Sequence, residues 1–100
     1  MMYLISSKIY NMQLVFSPFV IKELKKIKMK DKRLTEKIEK QLLLFQSNPK
    51  HPSLRVHKLT GKKQNAWSIS ITMSFRMIYK LLDENIAYFS DIGTHDEVYH

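Results

Sequence analysis

One hundred residues without a cysteine, and 17 Lys and Arg against 9 Asp and Glu, bound this chain before any motif is read. The length suits one core without metal or disulfide support, and the missing cysteines exclude a thiol nucleophile and a Cys-based zinc site, as suits a reducing cytoplasm. A formal charge of +8 and a pI near 9.8 point to a polyanionic partner, nucleic acid first, and no apolar run reaches the ~18 residues of a membrane span.

Residues 1–11 lack an apolar stretch long enough for a signal peptide and are expected to extend outside the fold, leaving 12–100 as a single domain. Met12-Gln13-Leu14-Val15-Phe16 has strand character. Ser17-Pro18 supplies an N-cap and then a proline at the first helical position, where its missing N–H costs nothing. Phe19, Val20, Leu24 and Ile27 give the stripe of a helix over 18–28. Asp31 caps a second helix, whose stripe of Leu34, Ile38, Leu42 and Phe45 runs to residue 47 before Asn48-Pro49 stops it. The many lysines of both helices form a basic face, in part simply a solvated one.

After Lys50-His51-Pro52-Ser53, a short strand over 55–59 ends at Thr60-Gly61, and Lys62-Lys63-Gln64-Asn65 make a basic loop. Trp67, Ile69 and Ile71 alternate with Ser68, Ser70 and Thr72, the period of a strand with one buried face and one hydroxyl-lined face. Strands over 75–82 and 86–92 flank the turn Asp83-Glu84-Asn85, and such short turns pair neighbours antiparallel. The expected class is α+β: an N-terminal strand, a two-helix hairpin, then an antiparallel sheet of three to four strands packed under the helices.

The tail, Asp91-Ile92-Gly93-Thr94-His95-Asp96-Glu97-Val98-Tyr99, carries an acid/base imidazole and an aromatic ring close together beyond a strand end, on backbone anchored by the sheet at one side only. The plainer alternative is an exposed loop histidine and a ring tucked over the core edge. Asp96 and Glu97 either orient His95 or are solvated, and His51 and His100 read as incidental. Four histidines without cysteine lack the spacing of a zinc site, and Gly61 and Gly93 build no phosphate loop, so neither metal nor cofactor is expected.

This order of elements, with HKLTGKKQNAWSISITMSFRMIYKL and then DIGTHDEVY, resembles the RelE/ParE superfamily of bacterial and archaeal toxins from toxin–antitoxin operons, over residues 12–99. The motifs that carry the resemblance are His57-x-Leu59-x-Gly61, Arg76-x-Ile78-Tyr79, and Gly93-Thr94-His95 through Tyr99. It implies the RelE-like microbial RNase fold. In the ribonuclease branch it implies a metal-independent endoribonuclease that cuts mRNA, usually on the ribosome, and is held inactive by an antitoxin with an acidic or amphipathic helical segment.

Such cleavage needs a base for the 2′-hydroxyl proton, cations for the phosphate's growing charge and an acid for the leaving 5′-oxygen. By the resemblance His95 matches the family's C-terminal histidine, and Tyr99 a terminal aromatic that stacks on a base or joins in proton transfer. Arg76 matches a strand arginine on the scissile phosphate, and His57 a histidine functional in the YafQ-like subgroup. Arg55, two residues before His57 on the same side of the expected strand, is a candidate phosphate contact, with Lys58, Lys62 and Lys63 as further RNA-binding positions. Structural alternatives stand beside these: an ion pair of Arg76 with Asp83, Glu84 or Asp91, a backbone-bonded strand end for His57, and a core ring for Tyr79. The chain departs from the YafQ-like pattern, which has a second histidine and two carboxylates where Ser70, Ser68 and Ser74 stand. Two other functions therefore stay open, a ParE-like inhibitor of DNA gyrase without nuclease activity and a catalytically decayed antitoxin-binding fold. The His95 and Tyr99 pair, which ParE-like chains usually lack, favours the nuclease.

Overall fold

A computed structural model describes residues 11–61 and 65–99. In chain order it contains β1 (Gln13–Phe16), α1 (Pro18–Lys30), α2 (Lys32–Ser47), a 3-10 turn (Pro52–Leu54), β2 (His57–Lys58), β3 (Trp67–Ser70), β4 (Phe75–Asp83), β5 (Ile86–Thr94) and α3 (His95–Val98). The strands form one sheet in the order β1-β5-β4-β3-β2. Every pairing is antiparallel except β1 with β5. The expected α+β architecture is thus observed. The N-terminal strand joins the sheet as a parallel edge, because the α1–α2 hairpin and the meander separate it from β5 by far more than a turn. The expected extension over 1–11 lies outside the described residues, save for Asn11.

Local chemistry sets the helix ends. The Ser17 hydroxyl accepts from the Val20 N–H at 3.1 Å and donates to the Ser90 carbonyl at 3.1 Å, so the cap of α1 is also its tether to β5. Asp31 closes one helix and opens the next: its N–H bonds the Ile27 carbonyl while its carboxylate accepts from the Leu34 N–H at 3.0 Å. That shared residue lets α1 run to Lys30, two residues past the expected end. No helix among the described residues is long and apolar enough to cross a membrane.

The two helices cover one face of the sheet. Val20, Ile38 and Phe45 meet Ile69, Ile71, Met77, Tyr79, Ala87, Phe89 and Ile92 there. The rings of Phe45, Tyr79 and Phe89 pack with centroids 4.9 to 5.5 Å apart, and Phe16 stacks on Phe89 at 5.7 Å. Gln41 is a buried polar residue among them. Its amide nitrogen donates to the Ser70 carbonyl at 3.0 Å and to the Ser53 carbonyl at 3.4 Å, pinning α2 to the end of β3.

Tyr79 is the core ring that its alternative described, and burial raises its phenol from 10.0 to about 12. Below pH 10 the phenol is neutral in both folded and unfolded chains; between pH 10 and 12 the unfolded chain gives up the proton and the folded chain keeps it. Stability therefore drains away across that window, by about 2 to 3 kcal/mol from this group. Thermal midpoints between pH 9 and 12 check this: Tyr79→Phe is expected to show the shallower alkaline loss.

On the sheet's other face a smaller cluster of Leu59, Ala66, Ile78 and Val98 is joined by Tyr99. The tail is therefore not anchored at one side only. It folds back as α3, and Val98 seals it to the sheet.

Candidate active site

Residues directly opposed in an antiparallel pair share a face. His57 opposes Ser68, Ser68 opposes Ile78, and Arg76 opposes both Ser70 and Gly93. His57, Ser68 and Arg76 thus share the face turned away from α1 and α2. Expected to be open and hydroxyl-lined, this face is partly roofed by α3. Ser68 is fully buried and Ser70 nearly so, and the Ser70 hydroxyl donates to the Thr72 carbonyl of its own turn at 2.7 Å.

The roof is held by a capping box. The Thr94 hydroxyl accepts from the Glu97 N–H at 3.3 Å, and the Glu97 carboxylate accepts from the Thr94 N–H at 2.7 Å. The His95 N–H donates to the Ser74 carbonyl at 3.0 Å, tying α3 to the β3–β4 turn. Glu97 is therefore a structural cap rather than part of a solvated tail. Asp96 is solvated, with a carboxylate oxygen 3.7 Å from His95 Nδ1.

β5 continues two residues past its expected end, through Gly93. A Cβ at Gly93 would lie 2.7 Å from a Glu97 carboxylate oxygen and 3.1 Å from the Glu97 Cβ. Gly93→Ala is expected to displace Glu97, lowering stability by about 1 kcal/mol as loss of a cap does. A fall in thermal midpoint, with faster hydrogen exchange at the Thr94 amide, would show it.

Inside this roof the side chains converge on one atom. Tyr99 Oη lies 2.8 Å from Ser68 Oγ. Arg76 donates to the same oxygen from Nε at 3.3 Å and from Nη2 at 3.2 Å. Nη2 also donates to the Arg55 carbonyl at 3.2 Å. The His95 and Tyr99 rings touch, with centroids 4.4 Å apart and planes 58° apart. α3 lies over β4 and β5, whereas His57 is on β2, beyond β3. The Arg76–Ser68 junction therefore sits between His57 on one side and the His95–Tyr99 pair on the other.

Arg55 departs from its expected place. β2 contains only His57–Lys58, and Arg55 adopts a left-handed φ of 46° as it closes the 3-10 turn, so it does not share a strand face with His57. His51 begins that turn, its Nδ1 accepting from the Ser53 N–H at 3.1 Å, which gives a structural role to a residue read as incidental. Lys58 alternates to the other side from His57 and stands 5.7 Å over the Trp67 ring. Lys62 and Lys63 lie outside the described residues. The exposed lysines of α1 and α2 are across the sheet from the junction.

A cleft of ≈ 200 Å³ opens between α1 and α3, lined by Phe19, Glu23, Ile27, Glu97 and Val98 among others. It offers carboxylates and apolar carbon but no basic group. Among the described residues no group of three or more His, Asp or Glu is placed to hold a metal ion. Sequence reasoning missed the Ser68 junction and the capping box. The spacing Thr94-x-x-Glu97 is a capping-box signature and could have been read; Ser68 carried only its parity with the strand.

The family model described as the ParE toxin of type II toxin–antitoxin systems (parDE) matches residues 14–99. A search of curated proteins by sequence finds no significant match. Similar solved structures include a YoeB/ParE toxin from Agrobacterium tumefaciens, at 21% identity and TM-score 0.73 over 84% of this chain and 99% of that one. A YafQ mutant from E. coli aligns at 20% identity and TM-score 0.73 over 89% and 99%. The YoeB–YefM complex from Staphylococcus aureus aligns at 20% identity and TM-score 0.66 over 84% and 97%. At these identities the likeness shows a common fold, and with the family match over nearly the whole chain it follows that this protein belongs to the RelE/ParE superfamily of type II toxin–antitoxin toxins.

Proposed function

We propose that the protein is a metal-independent endoribonuclease that cuts mRNA on the ribosome. The observation that carries this reading is the convergence of an arginine fork, a His–Tyr ring pair and a second histidine around one point of the sheet. Cleavage would proceed by attack of a 2′-oxygen on the adjacent phosphorus with loss of the 5′-oxygen, leaving a 2′,3′-cyclic phosphate and a 5′-hydroxyl. The attacking and leaving oxygens lie on opposite sides of the phosphorus, so an acid and a base must flank the cation that holds the phosphate. His57 and the His95–Tyr99 pair have that relation to Arg76. The guanidinium is permanently charged, and its fork matches phosphate oxygens as their charge grows. Among its described bonds Arg76 uses Nε and Nη2, which leaves the Nη1 edge to face a phosphate. The tilted rings of His95 and Tyr99 offer a surface for an unstacked base.

The helix lysines, on the far side of the sheet, suit backbone contacts distant from the cut. Replacing Lys25, Lys28 and Lys32 with Gln is expected to weaken RNA or ribosome binding and reduce its salt slope by about one for each phosphate no longer neutralised. The cleavage rate at saturating substrate should stay unchanged, and binding titrations across a range of salt concentrations check this. The similar YoeB and YafQ structures include complexes with YefM and DinJ, which supports a cognate antitoxin as partner here, with an acidic or amphipathic helical segment suited to the +8 surface.

The test is incubation of purified protein with intact ribosomes and a defined mRNA in magnesium buffer, with chemical analysis of the product ends. Cyclic-phosphate and 5′-hydroxyl ends support the reading; intact RNA at every ribosome concentration overturns it. A second reading, gyrase inhibition without cleavage, draws on the ParE description of the matched family, and it predicts intact RNA together with blocked DNA supercoiling.

A further inference from the structure

We infer that Tyr99 is a positioning residue of this site rather than its acid: its hydroxyl donates to the buried Ser68 oxygen, and that bond sets the span between His95 on α3 and His57 on β2. The role presupposes the nuclease reading and divides the labour within it.

Ser68 is the hub through which the bond acts. It is fully buried and stands directly opposite His57 in the β2–β3 pair. One edge of the Arg76 guanidinium, with Nε at 3.3 Å and Nη2 at 3.2 Å, reaches the Ser68 Oγ from a single side. A hydroxyl oxygen has two acceptor sites, so the other side stays open to a second donor. The Tyr99 hydroxyl fills it at 2.8 Å. One oxygen thus ties together the strand that faces His57, the cation that faces the phosphate, and the end of α3.

What the bond holds at its other end is His95. α3 is four residues long, too short to stay helical or keep its orientation unaided. Its start is tied by the His95 N–H on the Ser74 carbonyl and by the Thr94–Glu97 box. Its end is tied by Val98 in the cluster of Leu59, Ala66 and Ile78, and by Tyr99 on Ser68. The His95 side chain is 66% exposed, and the Tyr99 ring lies against it at 4.4 Å. A ring pinned by its own hydroxyl is a fixed wall for the imidazole.

The same bond sets the phenol apart from proton transfer. A phenol carries one hydrogen, and here it points inward. Turning it toward a leaving 5′-oxygen would break a hydrogen bond to a buried acceptor just where the reaction needs its transition state held most tightly. The two exposed imidazoles that flank Arg76 remain to exchange protons with the 2′- and 5′-oxygens. In-line displacement tolerates little drift between them, so a phenol that fixes their span acts on the rate without giving up its proton.

The experiment measures single-turnover cleavage of a defined mRNA on programmed ribosomes across a pH series, for the wild-type chain, Tyr99→Phe, Ser68→Ala and the double variant. Tyr99→Phe keeps the ring and loses the latch. It is expected to slow the rate about tenfold at every pH, with the half-saturating ribosome concentration unchanged. Ser68→Ala should lose at least as much, because it also unpairs Arg76. Without Ser68 the phenol has nothing to hold, so adding Tyr99→Phe to Ser68→Ala should cost under about twofold more. Thermal midpoints separate these losses from unfolding, and if Ser68→Ala unfolds, the pH profile of Tyr99→Phe decides alone. A loss of about a hundredfold in Tyr99→Phe with an altered pH profile, undiminished in the Ser68→Ala background, would make the phenol the acid and overturn the inference. Full activity in Tyr99→Phe would overturn it too, and in both cases the nuclease reading stands. If the wild-type chain leaves the RNA intact, the nuclease reading falls and this inference with it.

Discussion

Replacing Arg76 with alanine is expected to lower RNA cleavage about a thousandfold, the scale on which a single well-placed cation acts at a transferring or breaking phosphate. The change removes the charge facing the phosphate and also the donors that hold Ser68 and the Arg55 carbonyl in place. Arg76→Lys should recover little. An ammonium on a flexible stem cannot bond Ser68 Oγ and the Arg55 carbonyl while still presenting a planar fork outward. Single-turnover rates at saturating substrate measure the effect. A thermal midpoint within a few degrees of wild type separates it from unfolding, since the hydrogen bonds removed contribute only about 1 to 2 kcal/mol to folding.

The largest expected effect on stability is at Phe89, where the rings of Phe16, Phe45 and Tyr79 all meet. The side chain is completely buried, and Phe89→Ala leaves a cavity that neighbouring strands cannot close, costing about 3 to 5 kcal/mol. Against a total of roughly 5 to 15 kcal/mol for a small domain, that leaves a barely folded chain. Leu43, 66% exposed on α2, provides the contrast: Leu43→Ala should change stability by under about 0.5 kcal/mol. Urea denaturation of the three proteins measures both. Phe89 also lies on the strand that delivers Gly93 and Thr94 to α3, so its loss should release the His95–Tyr99 pair before global unfolding.

The parts of the fold that were legible in the sequence are those in which one residue settles a boundary. Ser17-Pro18, Asp31 and Asn48-Pro49 mark the ends of α1 and α2 because a cap or a proline acts within three or four residues. The alternation of Trp67, Ile69 and Ile71 revealed β3 for the same reason: the signal is local. Features that needed two distant segments were not legible. The parallel pairing of β1 depends on where the whole meander returns, and the burial of Ser68 depends on Val98 arriving over Ile78. Gln41 reads as a solvent residue on a helix until the Ser53 and Ser70 carbonyls appear beneath it.

The candidate site divides along the same line. His95 and Tyr99 stood out by their spacing in the tail, Arg76 and His57 through a family resemblance, and the structure brings the four to one face. Their common partner was invisible, because a serine in an alternating strand carries no chemical signature. Arg55 was misplaced for an equally physical reason. Strand periodicity was extended back toward Pro52, where the chain instead makes a tight turn and leaves Arg55 in a left-handed conformation. The Thr94-x-x-Glu97 spacing, read as tail, was the one local signal that would have predicted α3.

The measurement that bears most directly on the nuclease account is induced expression in growing cells, with RNA 5′ ends mapped genome-wide for the wild-type chain, His95→Ala and Arg76→Ala. The account predicts growth arrest with new 5′-hydroxyl ends inside translated messages, and both effects relieved by either substitution. Arrest that persists in His95→Ala and Arg76→Ala, without new RNA ends in any of the three, would contradict it and turn attention to gyrase.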